Sequence, residues 1–345
     1  MSSASLPPNK DSDGLYFLRT QISTKPSAPP PTTTVAGRTA IITGSNTGIG
    51  LEAAKVLLGL NLSHLILAVR SVDKGDVAAN TLRKTYTQAK IEVWQLDMAS
   101  YESIQAFIRR CNDLDRLDIA ILNAAFSVLK FGTNAVTGHE EMFQVNYLST
   151  TLLSILLLPI LKNKSPPHTP GRLTLVSSTL GLRAKFLNHS AVPLIPSFDD
   201  PKVFADAGSN NPYALSKTLV LILMVKLSKL VNDNDVVVNA VGPALTGGSS
   251  ELDRHYSRAV RLGLAALKAV SAHSPQQAAW LYVDGTVTKG KESHGSFIIN
   301  NEIWPFHAIM YTPEGKAAMD RLWDETLDEL DFAHVKDILA QMSAQ

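Results

Sequence analysis

Short apolar runs alternate with helical stretches along most of the chain. From Thr39 onward, apolar runs of four to six residues are each followed by a longer helical pattern. Runs of this length, separated by helices, indicate strands of a parallel sheet that is buried on both faces. We therefore predict an α/β fold with a doubly wound parallel sheet of about seven strands and helices on both faces. After the strand that begins at Thr39, the predicted strands are Leu65–Val69, Ile91–Gln95, Asp118–Leu122, Arg172–Ser177, Val236–Val241 and Ser296–Asn300.

The same pattern predicts one domain over residues 36–345, because no linker or internal repeat interrupts it. It ends in a helix at about 313–330, with Thr312 as its N-cap. Residues 1–35 are rich in Ser, Pro and Thr, which is typical of a flexible arm. Within this arm, Gly14–Ile22 is more apolar and is expected to dock on the body as a short helix.

Composition narrows the class of protein. Apolar residues make up 45% of the chain and charged residues 18%, which is ordinary for a soluble globular protein. A net charge of +1 without a basic stripe gives no reason to expect a nucleic-acid partner. The single cysteine, Cys111, fits a reducing compartment, and no targeting signal is evident, so we expect a cytoplasmic protein.

The length of the most apolar run and the spacing of the histidines give no reason to expect a membrane span or a metal site. The most lipid-like run, Thr151–Leu161, is much shorter than a bilayer requires and contains Pro159, so it is interpreted as a buried helix. The nine histidines never fall within a metal-site spacing of one another.

The first predicted strand breaks into a glycine-rich turn, TGSNTGIG, and a helix follows at once. Backbone N–H groups and the positive end of a helix dipole meet there, which suits a pyrophosphate. The spacing G-x-x-x-G-x-G differs from the general dinucleotide fingerprint, and a glycine triplet alone also fits an ordinary tight turn. The predicted cofactor contacts in this turn are Gly44, Asn46, Thr47, Gly48, Ile49 and Gly50.

The end of the second strand indicates which nucleotide is bound. In NAD-binding units an acidic residue about 20 positions after the glycines accepts a hydrogen bond from the ribose 2′-hydroxyl. Arg70 occupies that place here, and its guanidinium would clamp a 2′-phosphate, so we predict NADP(H). A solvated arginine at a strand end is the alternative interpretation. Asp73 lies close by and keeps NAD as the lesser alternative.

Two polar residues follow the third and fourth strands. Asp97 is placed to accept a hydrogen bond from the adenine amino group, and capping the helix that starts near Ser100 is an equally good explanation. Asn123, with Ala124 and Ala125, supplies small residues where backbone must run close to a ligand or to a neighbouring strand.

Tyr213 and Lys217 form the sharpest candidate pair. Asn211 and Pro212 are typical of a helix start, so the tyrosine and the lysine fall four residues apart on one helix face. A phenol is a poor acid–base catalyst at neutral pH, and a neighbouring ammonium favours the phenolate and moves the pKa toward the useful range. This spacing is common in helices, so the pair needs supporting residues nearby.

Those supporting residues are present in the sequence. Ser177 and Ser178 end the fifth strand, at the sheet edge where a ligand is expected. Asn146 is a polar residue within an apolar helix, and its amide needs a partner there, because an unpaired buried polar group costs on the order of 1–3 kcal/mol.

Together these motifs resemble the short-chain dehydrogenase/reductase family over roughly residues 36–310. The order and spacing of TGSNTGIG, Asp97, NAA, Asn146, VSS and YALSK match that family. GSNTGIGLEAAK, LAVRS and ESHGSFI are most similar to its retinol-dehydrogenase-type branch and to fungal relatives in secondary metabolism. The resemblance implies a Rossmann-type fold.

The resemblance also implies roles for individual residues. Ser178 would hydrogen-bond the substrate oxygen, and Tyr213 would exchange the proton with it. Lys217 would bind the nicotinamide ribose and lower the pKa of Tyr213, and Asn146 would hold a water in the proton relay. Homo-oligomers through the helices around 140–161 and 212–230 are implied as well.

The sequence departs from the family pattern in two places. In the family, a Pro-Gly pair after the sixth strand helps to seat the nicotinamide, and here this pair is Pro243-Ala244. Thr246 is the candidate hydroxyl for contact with the nicotinamide carboxamide. The segment 181–211 is long and contains apolar residues and prolines, which favours a substrate-side loop over a surface insertion without substrate contact.

The predicted function is NADP(H)-dependent reduction of a mid-sized apolar ketone, aldehyde or polyketide-like intermediate, or the reverse alcohol oxidation. Apolar residues in the 181–211 loop and in Leu252–Val270 motivate the apolar pocket. Two alternatives remain open at this point. One is a nucleotide-binding scaffold or sensor without turnover, and the other is an isomerase or dehydratase that retains its cofactor.

Overall fold

A twisted eight-stranded sheet forms the centre of the protein. The computed structural model describes residues 2–206, 212–247 and 268–343. The strands are β1 (Thr39–Thr43), β2 (His64–Val69), β3 (Lys90–Gln95), β4 (Ile119–Leu122), β5 (Gly171–Val176), β6 (Val236–Val241), β7 (Phe297–Ile299) and β8 (Glu302–Trp304). Their order is β3-β2-β1-β4-β5-β6-β7-β8, and each pair is parallel except β7 and β8. The predicted doubly wound α/β sheet is confirmed.

Helices cover both faces of this sheet. The α-helices are α1 (Asp13–Phe17), α2 (Gly48–Gly59), α3 (Val72–Thr85), α4 (Tyr101–Asn112), α5 (Glu141–Phe143), α6 (Ser149–Lys164), α7 (Ile195–Phe198), α8 (Pro201–Asp206), α9 (Pro212–Leu230), α10 (Pro275–Val283), α11 (Pro313–Glu329) and α12 (Val335–Ser343). Stretches of π-helix cover Leu18–Ser23, Gln144–Leu148 and Asp284–Thr288, and short 3₁₀ turns cover Ser3–Ser5, Thr179–Leu182, Lys291–Ser293, Ala308–Tyr311 and Asp331–Ala333.

The eighth strand is a correction to the predicted count of about seven. Asn300 and Asn301 both have positive φ angles, of 49° and 67°. This conformation, which asparagine tolerates, makes a tight two-residue hairpin between β7 and β8. The pairing runs from Phe297 opposite Trp304 to Ile299 opposite Glu302. A strand of three residues carries too little periodicity to be recognised from the sequence.

Alternate residues of the strands pack into two separate apolar cores. Ile41 and Ile66 contribute to the core on one face, whereas Ile42 and Leu65 contribute to the core on the other. All of them are fully buried. Burial on both faces explains why the strands are continuous apolar runs and not alternating ones.

The chain's own C-terminal helices pack against the two long helices α6 and α9. All seven residues from 149 to 155 are buried, so no side of α6 in this stretch faces solvent. The Tyr147 hydroxyl lies 3.1 Å from Thr326 Oγ1 in α11, and Ser343 of α12 donates to Leu230 O at the end of α9. The C-terminal helices thus complete part of the core around these two helices.

Among the residues that the structure describes, one helix is long and apolar enough to span a membrane. It covers Glu141–Lys164, with a mean hydropathy of 1.5 in its most apolar window, and 89% of that window is buried inside the protein. Packing against the rest of the chain therefore accounts for its apolar composition.

Candidate active site

The glycine turn between β1 and α2 has the backbone shape that the sequence predicted. Gly44 and Gly48 have positive φ angles, of 64° and 60°, which favour glycine. A Cβ at Gly50 would lie 2.7 Å from Asn123 Nδ2 and 2.8 Å from Gly44 O, so a side chain does not fit there. The turn is therefore closed by contacts that depend on glycine at these positions.

The start of α2 is suited to an anion. Its N-cap residue, Thr47, makes no side-chain hydrogen bond to the helix, so the first N–H groups of α2 are not capped by that hydroxyl. Thr47 is exposed, and Asn46, Gly48 and Ile49 are partly buried around it. A phosphate at this point would meet backbone donors and the positive end of the helix dipole.

Asn123, at the end of β4, holds the turn in place. Its amide nitrogen donates to Thr43 O at 2.9 Å and to Gly44 O at 3.2 Å, and its oxygen accepts from the Tyr282 hydroxyl at 2.9 Å. Ala124 N also donates to Thr43 Oγ1. The residues predicted to lie close to a ligand or to a neighbouring strand thus contact the end of β1 and shape the glycine turn.

Arg70 and Asp97 lie beyond the carboxyl ends of neighbouring strands. Arg70 directly follows β2 and is exposed, and Asp97 is partly buried just after β3. Asp97 Oδ1 accepts from Ala99 N at 3.0 Å, whereas the cap of α4 is Ser100, which accepts from Ser103 N. Asp97 therefore closes the turn before the helix and is not its N-cap.

Lys217 is buried between α9 and the end of β5. Its Nζ donates to Val176 O at the end of β5 at 2.9 Å, and its own carbonyl accepts from Ser177 Oγ. Only 2% of the residue is exposed. Burial disfavours the ammonium and lowers the pKa of Lys217 to about 8.

Tyr213 lies next to this lysine, with Lys217 Nζ 5.6 Å from the centre of its ring. The sequence predicted that the ammonium would lower the pKa of the phenol. In the structure burial dominates instead and raises the pKa of Tyr213 to about 12. The direction differs because an apolar environment disfavours the phenolate. The spacing of two residues along a helix does not reveal how deeply either side chain is buried.

Ser178 and Asn146 approach the same helix from two other elements. Ser178 Oγ, two residues after β5, accepts from Leu180 N at 3.2 Å at the start of a short 3₁₀ turn. Asn146 lies in the π-helical stretch before α6 and is 1% exposed. The structure thus brings Ser178, Tyr213, Lys217 and Asn146 together around the first turns of α9.

Asn146 ties the loop after β4 to α9. Its amide nitrogen donates to Phe126 O and to Ser216 Oγ, each at 2.9 Å, and its oxygen accepts from Phe126 N at 2.8 Å. Ser216 in turn donates to Tyr213 O. The partner expected for this buried amide is therefore backbone and a serine hydroxyl. The predicted water-holding role stays a prediction.

Thr246 and the apolar segment after it are the least defined part of the predicted site. Thr246 Oγ1 donates to Ala244 O at 3.0 Å, and its neighbour Leu245 accepts from His273 N. Positions 248–267, which include most of the predicted Leu252–Val270 lining, lie outside the described residues. The same holds for 207–211, the end of the predicted substrate-side loop and the predicted N-cap Asn211.

The N-terminal segment contacts two loops of the site, which sequence reasoning did not anticipate. Helix α1 continues into a π-helical stretch, so residues 13–23 are helical, close to the predicted 14–22. The Tyr16 hydroxyl donates to Thr179 O at 2.7 Å, next to Ser178. Gln21 accepts from Leu245 N and donates to Ser271 O.

Tyr282 is a second residue that the sequence did not reveal. It lies on α10, is 1% exposed and donates a hydrogen bond to Asn123. It therefore supports the glycine turn through Asn123. No motif surrounds it, and only the apolar helix pattern PQQAAWLYV signalled a buried residue here.

Comparison of the sequence with known proteins identifies the family. A family model described as short chain dehydrogenase matches residues 38–190. The short chain dehydrogenase/reductase mfmJ of Annulohypoxylon moriforme is 50% identical over 327 residues, which are 94% of each chain. The short chain dehydrogenase virL of Hypocrea virens is 41% identical over the same shares. The chain belongs to the short-chain dehydrogenase/reductase family.

Solved structures of lower sequence identity share the family fold. The NADP complex of Pseudomonas aeruginosa RhlG has a TM-score of 0.59 at 22% identity and covers 78% of this chain and 97% of its own. L-sorbose reductase of Gluconobacter frateurii, with NADPH and L-sorbose, has a TM-score of 0.58 at 19% identity and covers 77% and 97%. At these identities the likeness establishes the fold alone. As a short-chain dehydrogenase, the protein is an oxidoreductase that uses a nicotinamide cofactor and a small-molecule substrate.

Proposed function

We propose that this short-chain dehydrogenase is an NADP(H)-dependent carbonyl reductase, or the reverse alcohol dehydrogenase. Its substrate is a mid-sized apolar ketone, aldehyde or polyketide-like intermediate. The observation that carries the proposal is the grouping of Ser178, Tyr213 and Lys217 at the carboxyl ends of the strands, beside the glycine turn. The fungal relatives, which are themselves called short chain dehydrogenases, support the class of reaction.

The residues around the turn fit a dinucleotide. The helix start at Thr47 leaves backbone donors for the pyrophosphate, and Gly44 and Gly50 let the turn pack closely against the residues after β4. Arg70 is exposed beyond β2, on the side where the adenosine ribose lies in this fold, and supports NADP(H) over NAD. When bound, the nicotinamide supplies or accepts the hydride.

The chain's own residues would handle the proton. The Ser178 hydroxyl orients the substrate oxygen, and the Tyr213 phenol donates its proton to that oxygen during reduction. The Lys217 ammonium stabilises the phenolate that forms, and its bond to Val176 O fixes where that charge lies. Oxidation of an alcohol uses the same contacts with the proton moving the other way.

NADPH consumption with a panel of apolar ketones and aldehydes tests the proposal directly. Turnover of at least one carbonyl, lost in Tyr213→Phe, supports it. Stoichiometric NADPH binding without turnover of any substrate would favour a scaffold or sensor, and product formation without net NADPH loss would favour an isomerase or dehydratase.

The rate of reduction is expected to fall as the pH rises through about 8. Below that pH Lys217 carries its ammonium charge, because its pKa is about 8, and Tyr213 keeps its proton, because its pKa is about 12. Raising the pH neutralises Lys217 first and removes the charge that stabilises the departing phenolate. We would measure kcat/KM at saturating NADPH from about pH 6 to about pH 10. A profile that stays level across this range would contradict the role of Lys217.

Removing the Tyr282 hydroxyl is expected to weaken NADPH binding. In Tyr282→Phe the Asn123 oxygen loses its donor, and the turn that Asn123 holds becomes less well fixed. One hydrogen bond corresponds to about a fivefold change in Kd. The measurement is NADPH fluorescence titration, which needs no substrate.

Tyr147→Phe is the matched control for this prediction. Tyr147 is also fully buried, and its hydroxyl bonds Thr326, away from the turn. Both variants should lose thermal stability, but only Tyr282→Phe should raise the Kd. Equal NADPH affinity in the two variants would show that the Tyr282 hydroxyl contributes to stability and not to NADPH binding.

A further inference from the structure

The N-terminal helix, residues 13–23, docks on the body of the protein through polar contacts. Gln21 is 2% exposed, whereas three apolar residues of the same helix are nearly half exposed: Leu15, Leu18 and Ile22. A surface helix usually buries its apolar stripe and exposes its polar residues. Burying a polar side chain is costly unless it is hydrogen-bonded, so the hydrogen bonds of the buried residues specify where this helix docks.

The Gln21 side chain pairs with the backbone of the loop after β6. Its Oε1 accepts from Leu245 N at 2.8 Å, and its Nε2 donates to Leu245 O at 2.9 Å. The same Nε2 donates to Ser271 O at 2.6 Å, so both amide protons and the oxygen are engaged. Leu245 directly precedes Thr246, the predicted carboxamide contact. Gln21 thus fixes the backbone from which the Thr246 side chain extends.

Tyr16 makes a comparable contact with the turn after β5. Its hydroxyl donates to Thr179 O at 2.7 Å, and the Arg183 guanidinium lies over its ring, 4.3 Å from the centroid. Ser178 is the N-cap of this 3₁₀ turn, with Oγ accepting from Leu180 N. Because Thr179 is the next residue, holding its carbonyl restricts the backbone that carries the Ser178 hydroxyl.

The N-terminal helix is itself anchored on the last two strands of the sheet. Asn300, in the β7–β8 hairpin, donates to Thr20 O at 2.8 Å and to Thr24 O at 3.1 Å. The Trp304 ring of β8 lies edge-on to the Tyr16 ring, with centroids 6.0 Å apart. The helix therefore links two loops of the candidate site to the sheet, and loops place binding groups accurately only when a rigid scaffold holds them.

We propose that Gln21 and Tyr16 are positioning residues for the reaction. Gln21 holds the loop of Thr246 in place for the nicotinamide end of the cofactor, and Tyr16 holds the turn that presents Ser178 to the substrate oxygen. This inference rests on the proposed function, which gives Ser178 its role, and on Thr246 as the carboxamide contact. A loop that is fixed before the ligand arrives loses less conformational freedom on binding, so each contact should contribute to one step.

Gln21→Met tests the first assignment, since it keeps the length of the side chain and removes its three hydrogen bonds. We expect the Kd of the nicotinamide coenzyme that the wild type binds more tightly to rise at least about fivefold. In the coenzyme-free protein the Leu245 amide should exchange with solvent faster, because it has lost its acceptor. Fluorescence titration and hydrogen exchange measure the two effects. A folded Gln21→Met protein with the wild-type Kd would overturn the assignment.

Thr20→Val is the matched control for Gln21→Met. Thr20 is buried in the same helix, and its hydroxyl donates to Tyr16 O within that helix. The control should lose thermal stability and keep the wild-type Kd. An equal rise of the Kd in both variants would reflect general loosening of the helix and would overturn the proposal. If Gln21→Met does not fold, Gln21→Asn replaces it, with the amide kept and its reach shortened by one methylene group.

Tyr16→Phe tests the second assignment, with the opposite kinetic signature. We expect kcat/KM for the carbonyl to fall at least about fivefold and the Kd of the coenzyme to stay within about twofold. Tyr311→Phe is the control, because its hydroxyl donates to Ser3 O at 3.0 Å and so holds the N-terminal segment at another point. The control should keep the wild-type kcat/KM. Unchanged kcat/KM in Tyr16→Phe, or an equal fall in the control, would overturn the assignment.

Failure of this proposal is distinguishable from failure of the proposed function. If the wild type reduces no carbonyl, the proposed function fails, and the assignment of Tyr16 fails with it. The assignment of Gln21 is still decided, because coenzyme binding and hydrogen exchange require no turnover. If the wild type is active and both variants match it, the reaction stands and the positioning proposal is wrong.

Discussion

Tyr213→Phe is expected to lower kcat for carbonyl reduction by ~10²–10⁴-fold, the range that general acid catalysis contributes. The substitution removes one oxygen atom and keeps the ring beside Lys217. NADPH should still bind, because the glycine turn and the start of α2 are unchanged. The loss should therefore appear in turnover and leave the Kd for NADPH within about twofold.

The size of this effect follows from the position of the phenol. The Tyr213 ring lies 5.6 Å from the buried ammonium of Lys217, which in turn donates to Val176 O at the end of β5. Burial keeps the phenol protonated, with a pKa of about 12, so it begins the reaction as the acid. A phenylalanine has no proton to give, and water would have to enter to replace it.

Stopped-flow measurement of NADPH oxidation, with fluorescence titration for binding, checks this prediction. Tyr147→Phe serves as the control, because it removes a buried phenol oxygen that bonds Thr326 in α11. The control should retain nearly all its activity at a temperature where it is folded. A Tyr213→Phe enzyme with more than about a tenth of wild-type turnover would remove Tyr213 from the proton transfer.

Arg70→Asp is expected to weaken NADPH binding by ~10–100-fold and to leave NADH binding unchanged or improved. Charge-assisted hydrogen bonds of about 1.5–3 kcal/mol are lost, and the new carboxylate repels the 2′-phosphate. NADH has a 2′-hydroxyl in place of the phosphate, and this hydroxyl can donate a hydrogen bond to the aspartate. Arg70 is exposed, so the substitution should cost little stability.

The decisive quantity is the ratio of the two dissociation constants, measured by fluorescence titration. Arg109→Asp, at an exposed position on α4, makes the same change in net charge away from the turn and should leave the ratio unaltered. If Arg70→Asp weakened NADPH and NADH equally, Arg70 would not contact the 2′-phosphate. The Asp73 alternative, with NAD as the cofactor, would then gain support.

Much of the fold and the outline of the site follow from the sequence because they depend on local order. The apolar runs located β1 to β7, since a strand buried on both faces must be apolar along its length. The turn at Gly44 to Gly50 and the spacing of Tyr213 and Lys217 are likewise properties of consecutive residues. Each requires only a few neighbouring backbone angles or one turn of helix.

The remaining features were decided by tertiary structure, because they depend on residues far apart in the chain. The pKa of Tyr213 rises because burial in the folded chain disfavours the phenolate. Asn123 meets Tyr282 across 159 positions, and Tyr16 meets Thr179 across 163. Local pattern specifies which groups are present, and packing decides their environment and hence their chemistry.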